Sequence, residues 1–270
     1  MTDEKVRLGG MALANGVLVH GPTHWAAAIR DDGGKLHVAS GEKPLKAAEV
    51  ENRLVRGPAR VVEIFALLPA VRRSLPDAKL PFERPGVAGA MLGTAFAVKA
   101  VRESRLRPLA QEAIAALAAL VPAAAALRSS ELAEYHGAEH ISIGSYEHGE
   151  TREKEHERCG SHLLGPLLVS TAAGSMLVRR VPARLRPLAR LGAGLGAVTA
   201  AVEVFSWMVA NERHPVARAL ARPGHELQHR FVTAEPSADQ IEVAEAALRE
   251  CLRLESPANG DPDPEAAPPT

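Results

Sequence analysis

The sequence predicts an α+β fold, mainly α. A small N-terminal antiparallel sheet is followed by an alanine-rich, membrane-associated helical bundle and a C-terminal amphipathic helix. Three observations carry this. Aromatic residues are only 3% of the chain while alanine dominates its apolar content, a bias towards helix. The cluster Asp31-Asp32-Gly33-Gly34 separates two short apolar runs, the pattern of a β-hairpin. Four apolar stretches, near residues 86–101, 109–127, 162–178 and 188–210, each approach the length of about 20 residues that crosses a bilayer.

Taken in order, residues 8–45 read as a compact β unit. Val17-Leu18-Val19 ends at Gly21-Pro22, and Trp25 to Arg30 and Lys35 to Ala39 flank the Asp/Gly turn. Over 57–75, apolar positions from Val61 to Val71 recur at helical spacing, which predicts an amphipathic helix packed on the sheet or lying at a membrane surface. The bundle at 86–210 is interrupted by Lys99, Glu112 and Glu203, and alanine and glycine contribute little transfer free energy. A soluble bundle of buried Ala-rich helices is therefore the alternative to spanning. A polar site loop at 130–161 divides the bundle. The C-terminal unit, 223–255, opens on Pro223-Gly224 and enters an amphipathic helix after Glu235-Pro236-Ser237. Residues 1–255 form one domain, and the Pro/Ala-rich stretch 256–270 reads as a disordered tail.

Lysine plus arginine and aspartate plus glutamate balance at 32 each, so no global field attracts nucleic acid and none is expected as a partner. Two cysteines, Cys159 and Cys251, are too few for a disulfide framework and fit a reducing compartment. Residues 1–10 lack an apolar core after a basic start, so no signal peptide is expected and the polar stretch is placed facing the cytoplasm. Arginines between the apolar stretches, among them Arg102, Arg107, Arg179 and Arg184, pull the other way under the positive-inside rule, so the topology stays open.

The chemistry concentrates in Tyr135-His136-Gly137-Ala138-Glu139-His140, which contains the inverted zinc-protease spacing His-x-x-Glu-His. On a helix, His136 and His140 share one face one turn apart, and Glu139 lies beside them. Neutral imidazoles suit zinc, and a carboxylate that is not a ligand can take a proton from metal-activated water. Five histidines and Cys159 fall within 27 positions, 136 to 162, a density typical of metal handling or proton transfer rather than of a solvated face.

Several ordered blocks together resemble the bacterial YqhQ-like family, a domain of unknown function described as a metal-dependent enzyme of the membrane. These are Gly9-Gly10 with Gly16-Val17 and Gly21-Pro22, and Arg56-Gly57; the block Tyr135 to His140 with Tyr146-Glu147; and His156 with Arg158-Cys159-Gly160-Ser161. Glu203 within its apolar helix, Pro223-Gly224, Leu227-Gln228 and the run from Thr233 to Ala244 complete the set. The chain departs from the family at Met11, Asn15 and His20, where glutamine, glutamate and arginine are usual.

The resemblance implies a divalent metal, for which Zn2+ suits the donors, but no substrate. Glu203, sixty-three positions after His140 in an apolar helix, is the expected third ligand beside His136 and His140; a protonated or Arg-paired structural glutamate is its alternative. Cys159 and His156 are competing ligands, with a structural thiol as the other reading of Cys159. Glu147 is a further candidate, or else orients a histidine. The expected function is metal-dependent hydrolysis with Glu139 as general base and Tyr135 or Tyr146 donating to a developing oxyanion. The competing function is a non-catalytic membrane adaptor or metal sensor that recruits a protein partner through the N- or C-terminal unit. Transport would need paired polar residues through several apolar segments and ranks last.

Overall fold

The computed structural model describes residues 5–126 and 130–256. The tail read as disordered therefore lies, apart from Ser256, outside the described residues.

Four strands, β1 (Gly9–Leu13), β2 (Gly16–His20), β3 (His24–Arg30) and β4 (Leu36–Glu42), form an antiparallel meander in that order. The turn between β3 and β4 is set by Asp31, whose Oδ1 accepts from the backbone N–H groups of Gly33 and Lys35, both at 2.9 Å, and by Gly34 at a φ of 81°. Side chains of β2 and β3 alternate between two cores, as a pleat requires. Val17, Val19, Ala26 and Ala28 face one, and Leu18, Trp25, Ala27 and Ile29 face the other.

Both faces are covered. Helix α1 (Arg53–Ser74) lays Leu67, Leu68 and Val71 on the second face. Helices α5 (Ser130–His148) and α9 (Ala238–Glu255) lay Leu132, Tyr135 and Ala138, and Val243, Ala247 and Cys251, on the first. Burying each large aliphatic side chain stabilises this head by about 1.5–3 kcal/mol. The β unit is thus the centre of a three-layer head. Helix α9 starts with a capping box between Ser237 and Gln240. It ends with Glu255, which accepts from the backbone N–H groups of Thr23 and His24 at 2.7 and 2.6 Å.

A buried ion pair locks α1 to the sheet. Lys43 Nζ lies 2.9 Å from Glu63 Oε2 and donates to Gly21 O at 2.9 Å, while Glu63 Oε1 accepts from Ala47 N at 2.7 Å. Burial, and then the Lys43 charge, hold the neighbouring His20 imidazole down at about 4, so it is neutral in the fold. Of the positions that depart from the family, Asn15 also ties loops together. It donates to Arg30 O and Asp77 O and accepts from Lys79 N.

The helical half comprises α2 (Pro85–Glu103), α3 (Pro108–Ala119), α4 (Val121–Ala126), α6 (Leu164–Val178) and α7 (Arg186–Ala210). Gly174 lets α6 approach α7 closely at Ala193, as small residues do between apolar helices. Glu112 on α3 pairs with Arg102 at 3.2 Å and faces Arg179 at 4.0 Å, so the two Arg-rich turns meet at one end. The segments Gly160–Val178 and Ala183–Ala210 are long and apolar enough to cross a membrane, and only 17% and 22% of them are buried. The first, 19 residues, spans roughly 28 Å at helical rise. Phe96, Leu117, Val169, Leu188 and Leu191 are among the exposed apolar residues on these helices. Helix α1 divides along its length: its second half packs on the sheet, while Leu54, Val55 and Phe65 remain exposed.

Two expectations change. Residues 130–148 of the polar stretch are helical, because Leu132, Tyr135, Ala138 and Ile143 stripe one face against the sheet. Buried polar residues on the opposite face hide that period in the sequence. An unexpected helix, α8 (Pro215–Leu227), crosses the start of the C-terminal unit and runs through Pro223 into a π-helical turn at Gln228–Val232.

Candidate metal centre

Helix α5 turns Leu132, Tyr135 and Ala138 into the core, which aims His136, Glu139 and His140 at the loop 152–161 and the π-turn. The His136 and His140 rings meet edge to face with centroids 4.3 Å apart. His136 Nδ1 lies 3.0 Å from Val232 O, and His140 Nδ1 lies 2.6 Å from Lys154 O. Since a carbonyl oxygen only accepts, Nδ1 carries the proton on each neutral ring and Nε2 keeps its lone pair. Burial, reinforced by His136, holds the His140 imidazole well below its usual range and therefore neutral.

Cys159 reaches the same point from the N-terminal start of the α6 segment. Its Sγ is 3.6 Å from His136 Nε2, and the donor atoms of His136, His140 and Cys159 all lie within 4.8 Å of one another. Sγ also accepts from Ser161 N at 3.5 Å, and burial pushes the thiol above its ordinary range in the metal-free chain. Two keyed imidazoles and a buried sulfur form a donor set that fits a borderline-soft divalent ion.

Glu139 lies beside these donors, its Oε2 at 3.8 Å from His136 Nε2. The residue is 6% exposed, and burial raises its carboxyl to about 7. A Cβ on Gly10 would overlap the Glu139 carboxylate, so a bare backbone at β1 makes room for it. A Cβ on Gly137 would overlap Ala234 O, in a segment joined to α5 by Ala234 N donating to Ala133 O at 2.9 Å. The Gly137→Ala variant should therefore displace residues 232–234, including the carbonyl that orients His136. We expect a loss of about 1–3 kcal/mol in unfolding experiments together with weakened metal retention. Unchanged retention would show that the His136 bond to Val232 is dispensable.

The other sequence-predicted residues are placed as follows. His156 stands one ring behind His140, at 5.5 Å between centroids, and its Nε2 meets Glu147 Oε2 at 3.0 Å. Glu147 also pairs with Arg158, so it orients His156 rather than joining the three donors. Tyr135 is buried in the core between α5, α9 and the sheet, and burial raises its phenol. The Tyr146 hydroxyl accepts from Val6 N at 3.0 Å, which ties down the N-terminal segment. Neither tyrosine hydroxyl is brought to the three donors. Glu203, the expected third ligand, is instead held by Arg56, with Nε to Oε1 and Nη2 to Oε2 both at 2.6 Å. The cost of a carboxylate in an apolar helix is met by a guanidinium one turn into α1, and Gly57 next to it lets α1 approach Thr199 and Val202.

Gln228 is a residue whose role the sequence reading missed. Fully buried, it accepts from His156 N at 2.8 Å and donates to His156 O at 3.2 Å and Ser161 Oγ at 2.8 Å, fastening the Cys159 loop to the π-turn. Its place in the Leu227-Gln228 block was the available signal. On the far side of His156 a cavity of about 1010 Å³ opens between this loop, residues 5–7 and helices α7 and α8. It contains none of the three donors and meets the cluster through His156.

No curated protein and no solved structure matches the chain. The family described as "Protein of unknown function (DUF1385)" matches residues 114–254, which run from α3 to the end of α9 and include every donor of the cluster. This match covers just over half of the sequence, and it includes the Tyr135–His140 block and the C-terminal block on which the YqhQ-like resemblance rested. The chain belongs to the DUF1385 family of proteins of unknown function.

Proposed function

We propose that the protein is a membrane-embedded, divalent-metal-dependent hydrolase in which His136, His140 and Cys159 would hold zinc and Glu139 moves the proton. The observation that supports this most is the convergence of three donor atoms within 4.8 Å, with both imidazoles keyed through Nδ1 to backbone carbonyls. A zinc ion there would supply Lewis acidity, polarising an acyl or phosphoryl oxygen and acidifying water.

The chain's own residues do the rest. The Val232 and Lys154 carbonyls fix the imidazoles, and burial keeps His140 neutral and available as a donor. Glu139 Oε2 accepts a proton from the attacking water as the water oxygen bonds to the electrophilic centre. It returns that proton to the leaving group as the scissile bond breaks. Three protein donors are one fewer than a closed structural zinc site uses. His156, which would close the set and favour the adaptor reading, is engaged by Glu147.

In this reading the segments Gly160–Val178 and Ala183–Ala210 span the bilayer, and a free thiol among the ligands suits a reducing compartment, with the head facing the cytoplasm. The test is Glu139→Gln in detergent-purified protein, assayed on a panel of chromogenic esters, amides and phosphoesters. Turnover should fall by about 100-fold or more while bound metal is retained. Loss of metal with that change, or undiminished turnover, would contradict the role given to Glu139.

A further inference from the structure

The cavity behind His156 has two unlike walls. One is apolar and comes from the end of α7: Phe205, Met208 and Val209. The other is cationic and comes from α8 and the N-terminal segment: Arg218, Arg222 and Arg7. At about 1010 Å³ it stands at the upper end of small-molecule sites, which run roughly 300–1,000 Å³.

The charges around it are out of balance. Five carboxylates line the cavity, and three are engaged: Glu147 by Arg158, Glu155 by His229 and Glu157 by Arg152. Glu153 and Glu212 are exposed, as are Arg7, Arg218 and Arg222. Against those two stand Arg7, Arg218 and Arg222, which have no ion-pair partner among the described residues, and Lys5, whose ammonium is spent on the Tyr146 and Glu147 carbonyls. Arg218 and Arg222 are one helical turn apart, a like-charge spacing that costs stability unless an anion bridges it. An oxyanion is the ligand that would offset the Arg218 and Arg222 charges and draw on Arg7 in the same cavity.

The position of the cavity supplies the other half of the argument. Helix α8 follows the apolar α7 after a four-residue turn, so it leaves the spanning segment at the level where a bilayer meets water. It is amphipathic. Val216 and Leu220 are exposed on one flank, while Arg218 and Arg222 line the cavity on the other. Trp207 and His214 stack edge to face at the junction, where amphipathic rings gather in membrane proteins. A helix of this kind lies in the interface with its apolar flank in the acyl region.

We propose that the cavity is the binding site for a phosphate-bearing amphiphile taken from the bilayer, its headgroup between Arg218, Arg222 and Arg7 and its chain along Phe205, Met208 and Val209. The proposal rests on the membrane reading of α7 given above but requires neither a bound metal nor turnover.

The experiment is equilibrium binding of a fluorophore-labelled short-chain phosphatidate to the full chain in neutral detergent, read by anisotropy. Unlabelled phosphatidate, phosphatidylcholine of the same chain length and inorganic phosphate serve as competitors. Phosphatidate should displace the probe at a concentration at least about tenfold below either of the others, and Arg218→Ala/Arg222→Ala should weaken binding by about tenfold or more. The Arg218→Lys/Arg222→Lys variant keeps the charge and should retain most of the binding, which separates loss of charge from loss of fold. Displacement by inorganic phosphate as effective as by phosphatidate would make this a soluble-phosphate site and overturn the amphiphile. Equal displacement by phosphatidylcholine, or unchanged affinity in the alanine variant, would overturn the headgroup site. Metal content measured on the same samples reports on the hydrolase reading separately.

Discussion

Cys159→Ala and His136→Ala are each expected to strip the protein of its metal, whereas Glu203→Ala is expected to keep it. Wild-type protein purified in detergent should carry about one zinc per chain by plasma mass spectrometry, and each ligand variant should fall to background after dialysis. The contrast follows from geometry. Cys159 Sγ stands 3.6 Å from His136 Nε2, while both oxygens of Glu203 are taken by Arg56. Glu203→Ala should act on packing instead, loosening α1 from α7. The substitution also leaves the Arg56 guanidinium without its counter-charge beside an apolar helix, so a loss of stability is expected while metal is retained. The reverse pattern, metal lost with Glu203→Ala and kept with Cys159→Ala, would reinstate the set expected from sequence. A chain without metal in gentle purification would leave the cluster a proton-handling or interaction surface and favour the adaptor reading.

The second large effect belongs to the head. Glu63→Ala removes the counter-charge of a lysine whose side chain is 2% exposed, and orphans the Ala47 N–H. Breaking one side of such a pair costs about 3–5 kcal/mol, because the remaining charge stays in a medium that solvates it poorly. Unfolding followed by circular dichroism should show that loss. Replacing both partners, Lys43→Met with Glu63→Leu, should cost less than Glu63→Ala alone. A loss below about 1 kcal/mol for Glu63→Ala would mean that water reaches Lys43 in solution.

How much of this was legible depended on whether a residue's partner is near in sequence. The Asp31 to Gly34 turn, the strands around it, the start of α9 at Ser237 and the apolar helices are local patterns that were readable, except that the stretch 109–127 divides into α3 and α4. The pairing of His136 with His140 was readable for the same reason, since one helical turn fixes it. Glu203 could be read as an expensive buried acid, but not as the partner of Arg56, 147 positions away. The same distance problem concealed Glu63 against Lys43 and Gln228 against His156, 72 positions apart. Helix α8 was obscured differently. Pro223-Gly224 reads as a break, yet the glycine is there because a Cβ would press into the His162 ring.

The packing of α9 against the sheet has a consequence for the order in which the protein is made. Strands β1 to β4 leave the ribosome before the helical half, but the face that buries Val17 and Ala26 stays partly bare until residues 238–255 arrive and Glu255 fastens onto Thr23 and His24. Between those two events the chain synthesises both long apolar segments. Gln228 and the Val232 carbonyl, which hold the His136, His140 and Cys159 cluster in shape, also come after them. The head therefore closes, and those three side chains are held together, only after the whole helical half has emerged.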